Sequence, residues 1–116
     1  MSQVLNFDTV AVLRDLGDDL VLDLIQTYIE ESDRLVSEIR EAALSGNAAT
    51  IGSLAHSLKG SSLNMGLEII GEVSLRLEKM GKSGDLISAQ NLIPQLEQCY
   101  TEAKQALIDL EKQLVV

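Results

Sequence analysis

The chain has 116 residues and a formal net charge of -9; 46% of it is apolar but only 3% is aromatic. That length suits one domain over residues 1–116 with a single hydrophobic core built from aliphatic side chains, a composition that favours helices packed on helices. The charge disfavours nucleic acid and anionic membranes as partners, and the single cysteine, Cys99, permits no internal disulfide and belongs to no metal-ligand spacing.

The N-terminal stretch through Asn6-Phe7-Asp8 has neither the basic start nor the apolar run of a secretory signal. Apolar runs such as Leu20-Val21-Leu22 are too short to span a bilayer. A soluble, cytoplasmic monomer in a reducing compartment is expected.

Apolar periodicity and breakers predict five helices and no strand. A short first helix over 8–16 sets Phe7, Val10 and Leu13 on one side and ends at Gly17. The second, over 18–44, is capped by Asp18 or Asp19 and turns Val21, Ile25, Tyr28, Ser32, Leu35, Ile39 and Ala42 inward, the spacing of a bundle helix. Asn47 caps a third helix over 48–65, which Gly66 ends. The fourth, over 67–81, carries Ile70, Val73, Leu77 and Met80 and runs out in Gly81-Lys82-Ser83-Gly84. The fifth, over 86–114, repeats Leu96, Tyr100, Ala103, Leu107, Leu110 and Leu114 on one face, with Cys99 beside that stripe as a small packing residue. Pro94 is expected to kink or restart it, because an interior proline loses a hydrogen bond and clashes one turn back. Short connections between long helices imply an all-α, antiparallel up-down four-helix bundle with a short additional N-terminal helix.

Chemistry concentrates on the third helix. On a wheel advancing about 100° per residue, Ile51, Leu54, Ala55, Leu58, Ser61, Ser62 and Met65 share an inward face, and His56 points almost opposite. Ala49, Gly52, Ser53, Lys59, Gly60 and Leu63 surround His56 within about 60°. A glycine inside a helix costs about 1 kcal/mol relative to alanine, so Gly52 and Gly60 read as clearance for an approaching macromolecule. An exposed imidazole can attack phosphorus, Lys59 can offset phosphoryl charge, and Leu63 and Ser53 lie where a partner would dock. Taken singly, each feature also has an ordinary reading: a solvated histidine, a surface lysine, glycines kept for helix contact, a scattered apolar residue.

The stretch Ala55-His56-Ser57-Leu58-Lys59-Gly60-Ser61-Ser62, followed by Gly66, resembles the signature of histidine-containing phosphotransfer (HPt) domains. Phe7-Asp8, Leu13, Gly17-Asp18-Asp19, Tyr28-Ile29-Glu30-Glu31, Ala42 to Gly46, Leu77-Glu78 and the closing Leu-rich helix also look like family positions. The resemblance implies a phosphorelay carrier whose phosphoacceptor is His56, with Lys59 stabilising the phosphoryl group and Gly60 admitting the partner. It further implies that Gly66 serves the turn after the helix, while Ser61 and Ser62 serve packing and helix support. The implied partners are receiver domains of response regulators and hybrid histidine kinases. No intrinsic cofactor or metal is implied; Mg²⁺ is expected in the receiver. The sequence departs from the family pattern at Asn47, Leu67 and Gly71; Gly71 either loosens the fourth helix or lets a neighbour pack closely.

The chain carries no Gly-rich nucleotide loop, so it is expected to be a carrier and not an ATP-dependent kinase. A purely adhesive helical adaptor would share the fold. A carboxylate-bridged metal enzyme would need Glu-x-x-His pairs that this chain, with one histidine, lacks. A start at Met1 favours a freestanding protein over an excised domain.

Overall fold

In the computed structural model, which describes residues 2–115, five helices carry nearly all of the chain. They are α1 (Phe7–Asp15), α2 (Asp18–Leu44), α3 (Ala48–Asn64), α4 (Glu68–Ser83) and α5 (Leu86–Leu114). α1 begins and ends one residue earlier than the sequence suggests, α3 stops one residue sooner, and α4 runs two residues further. Consecutive long helices pack side by side, α5 closes back on α2, and α1 rests on α2. No strand occurs among the described residues.

Helix starts follow local chemistry. The Asn6 side chain accepts from the backbone N–H groups of Asp8 and Thr9, that of Asn47 from Thr50, and that of Asp85 from Ser88, satisfying donors that have no intrahelical partner. α2 is different. Gly17, at φ +123°, precedes it without a side-chain cap. Asp18 and Asp19 occupy its first turn instead, where negative charge faces the positive end of the helix dipole.

The inward stripe of α2, from Val21 to Ala42, is buried as its spacing requires. Opposite it lie Ile51, Ala55, Leu58, Ile70, Val73, Leu77, Leu96, Ala103 and Leu107. Tyr28 and Tyr100 bring hydroxyls into this core. Tyr28 pairs with Ser62 Oγ at 2.7 Å and Tyr100 with Ser32 Oγ at 2.8 Å, tying α3 to α2 and α2 to α5.

One expectation about the periphery changes and a second is narrowed. Phe7 is exposed, because the preceding segment lies along the α3–α4 turn and turns Leu5 inward in its place. The Asn6 N–H donates to the Gly66 carbonyl at 2.8 Å and the Ile69 N–H to the Gln3 carbonyl at 3.1 Å. α5 also runs through Pro94 without restarting. Both Pro94 and Gln90, whose carbonyl loses its helical donor, are exposed.

The closest helix contact is between α3 and α4, and it corrects the reading of Gly52. Far from lying open on the outer face, Gly52 is buried against Gly81. A Cβ on Gly81 would stand 2.4 Å from Gly52 N and 2.7 Å from the Ala48 carbonyl oxygen; one on Gly52 would stand 3.1 Å from Lys82 N. A wheel calibrated on large apolar side chains misses such a face, because backbone meets backbone there with no side chain to mark it. Gly81 accordingly sits inside α4, which ends only at Gly84 with φ +77°.

Gly81→Ala should therefore cost about 2–3 kcal/mol in urea denaturation, since the clash is with backbone and not with a movable side-chain tip. Gly60→Ala, which meets nothing within 4 Å, should gain up to about 1 kcal/mol. Equal effects of the two substitutions would contradict the contact.

Candidate functional site

One turn beyond Gly52 on α3, and one turn before Gly81 and Lys82 on the antiparallel α4, His56 meets Glu78. The His56 side chain is 62% exposed, yet its Nδ1 lies 2.6 Å from Glu78 Oε2. Lys59 Nζ contacts the other oxygen, Oε1, at 2.6 Å. Lys82 Nζ reaches Oε2 at 2.7 Å, from the next turn of α4. Glu78 itself is only 4% exposed.

A buried carboxylate ordinarily resists ionisation. Here hydrogen bonds from Lys59, then from Lys82 and His56, outweigh burial and hold Glu78 down at about 2, against an ordinary 4.5. It is thus an anion throughout the physiological range and can only accept hydrogen bonds. In the neutral imidazole the proton must then sit on Nδ1, which leaves Nε2 with a free lone pair on an exposed ring. The arrangement selects a tautomer, orients the ring and presents a nucleophile.

The remaining expected residues fall into two groups. Gly60 and Ser53 are exposed, with Ser53 Oγ donating to the Ala49 carbonyl. Leu63 is 47% exposed and lies over Gly71, where a Cβ would come within 2.4 Å of Leu63 Cδ2. Gly71 therefore admits a neighbour. Lys59 is not free beside the imidazole; it is half-buried and committed to Glu78.

Ser62 is fully buried on Tyr28, whereas Ser61, expected to face inward, is half-exposed and donates back to the Ser57 carbonyl at 3.1 Å. Gly66 takes φ +78°, and a Cβ there would stand 2.9 Å from Thr9 Cβ. It is held by both conformation and contact.

Glu78 and Lys82 are the residues that reading the third helix alone misses. A signal for Glu78 was present, because Ile70, Ser74 and Glu78 recur at four-residue intervals on the buried side of α4. An acid in such a row requires a partner. Among the described residues no three His, Cys, Asp or Glu side chains stand close enough to hold a metal ion. Nor is any described helix long and apolar enough to cross a membrane.

The Hpt domain family matches residues 23–106 of the chain. The crystal structure of histidine-containing phosphotransfer protein B (HptB) from Pseudomonas aeruginosa PAO1 superposes with a TM-score of 0.91 at 25% sequence identity, covering 97% of this chain and 98% of that one. No curated protein sequence matches the chain.

Because the folded pKa of Glu78, about 2, lies below its ordinary 4.5, the stability it contributes is fully present above that ordinary value and is lost as pH falls toward the folded one. The difference in urea midpoint between the wild type and Glu78→Gln should accordingly shrink between about pH 6 and about pH 2.5. A difference that stays constant over that interval would refute the ionised cluster.

Proposed function

The chain belongs to the Hpt domain family, and from that premise we propose that His56 is its phosphoacceptor, taking a phosphoryl group from an aspartate of one receiver domain and passing it to another. The family and the likeness to HptB support a histidine phosphotransfer role in a phosphorelay, as a carrier and not a kinase. The contact of His56 Nδ1 with the anionic Glu78 is the observation that carries the assignment to this residue.

In the forward step the Nε2 lone pair attacks phosphorus, the P–Nε2 bond forms, and the bond from phosphorus to the aspartyl oxygen breaks with its electron pair leaving on the carboxylate. No proton has to move. Nδ1–H stays on Glu78, and the ring becomes an imidazolium whose positive charge the carboxylate offsets. In the return step the electron pair goes back to Nε2, and the same proton is still in place. Phosphoryl transfer depends mainly on positioning and electrostatics; the receiver supplies the acidic pocket and Mg²⁺, and this chain supplies an oriented nucleophile beside Lys59.

Charge distribution favours this face for docking. Residues 48–83 contain four basic side chains (Lys59, Arg76, Lys79, Lys82) and three acidic ones (Glu68, Glu72, Glu78), whereas the rest of the chain holds five basic and fifteen acidic residues. An acidic receiver pocket would be repelled by the α2 and α5 surfaces and tolerated at the α3–α4 hairpin. There Gly60 leaves room, and Leu63 and Leu75, both exposed, offer apolar contacts further along the hairpin toward its turn. Receiver domains of response regulators and hybrid histidine kinases are the partners proposed, with Ser53 at the edge of the contact.

Incubation with a phosphorylated receiver should place an acid-labile, base-stable phosphate on the wild type and on Ser57→Ala but not on His56→Gln; labelling of His56→Gln would sink the assignment. Gly60→Leu should keep the fold while lowering transfer about tenfold or more by holding the reacting atoms apart. Transfer at the wild-type rate in that variant would remove Gly60 from the docking face.

A further inference from the structure

Glu78 gathers more positive charge than it needs. With the imidazole neutral, one carboxylate faces the ammonium groups of both Lys59 and Lys82, so the cluster keeps one surplus positive charge. Phosphorylation of Nε2 brings a dianionic group and leaves the ring an imidazolium, which takes the cluster to neutrality. With one lysine fewer, the modified cluster would be net negative.

The two lysines are not equivalent. Lys59 is alone on Oε1, and its side chain is 24% exposed. Lys82 shares Oε2 with His56 Nδ1, and its side chain is 65% exposed. Its backbone is fixed against Gly52, one turn from His56 on the facing helix, while a four-carbon stem leaves its ammonium free to reorient. Of the two, Lys82 has the weaker hold and the greater freedom.

We propose that Lys82 is a switching counter-ion: it rests on Glu78 while His56 is unmodified, and moves to the phosphoryl oxygens once Nε2 carries them. The inference rests on the phosphotransfer reading of His56. The move has two consequences. It neutralises the phosphoryl group, and it releases Oε2 to the Nδ1–H of His56 alone. That proton is then held more firmly when the ring is a leaving group, so His56 departs from phosphorus as a neutral imidazole with Nδ1 still protonated. Lys82 thereby acts at both nitrogens of the ring, by direct contact at the phosphoryl group and through Glu78 at Nδ1.

The test uses the full chain with isotope-labelled lysine side chains, observed by NMR before and after chemical phosphorylation with potassium phosphoramidate. The Lys82 Nζ and Cε resonances should shift on phosphorylation. The lifetime of phospho-His56 should fall about three- to tenfold in Lys82→Ala and return to within about twofold of wild type in Lys82→Arg, as expected for a partly exposed charge-assisted contact. A Lys82 resonance that does not move, or a wild-type lifetime in Lys82→Ala, overturns the switch. Chemical phosphorylation needs no receiver, so failure of a phosphorylated receiver to label wild-type His56 would strike the phosphotransfer reading separately.

Discussion

Because neither Gly52 nor Gly81 carries a side chain, the backbones of α3 and α4 touch, and the rest of the site depends on that contact. Residues with side chains at this crossing would hold the helices at the usual 8–10 Å interaxial separation. In the observed close approach Glu78 is buried with its carboxylate oxygens 2.6 Å from His56 and Lys59 on the facing helix. The close approach thus does for electrostatics what a ligand-binding cleft does in an enzyme: it brings charged groups on different elements to hydrogen-bonding distance.

Burying Glu78 carries an electrostatic cost. Removing a carboxylate from water is unfavourable, but the hydrogen bonds from Lys59, Lys82 and His56 outweigh that cost and keep Glu78 ionised, so the cluster both ties α3 to α4 and positions the imidazole. The positioning is specific. A permanently ionised acceptor selects one imidazole tautomer without any proton transfer, and it is itself held from both sides by lysines on different helices. His56 stays exposed because its support comes from beneath.

The frame around the cluster is fixed by polar contacts that a purely aliphatic core would lack. Ser62 on Tyr28 and Ser32 on Tyr100 join α3 and α5 to α2 through hydroxyl pairs. At the far end of α3, Gly66 and Thr9 bring the N-terminal segment onto the turn. α3 is therefore restrained near its C-terminal end and along its α4 face, while the His56 surface remains open.

Much of this was legible in the chain itself. The aliphatic composition, the three- and four-residue spacing of α2 and α5, and the Asn47 cap determined an all-helical bundle, because these are local properties that act wherever the segment sits. The outward placement of His56 and Gly60 followed in the same way, since a single helix face depends only on its own periodicity. The partner of His56 did not follow. Whether Gly52 faces solvent or another glycine, whether Lys59 is free or bound, and which acid in a chain of 18 acidic residues underlies the histidine all depend on which helix crosses α3 and how closely. That is a relation between residues 22 positions apart, which no periodicity within one helix encodes. The outward histidine was determined by sequence; its tautomer, its counter-charges and its orientation were decided by the packing of α4 on α3.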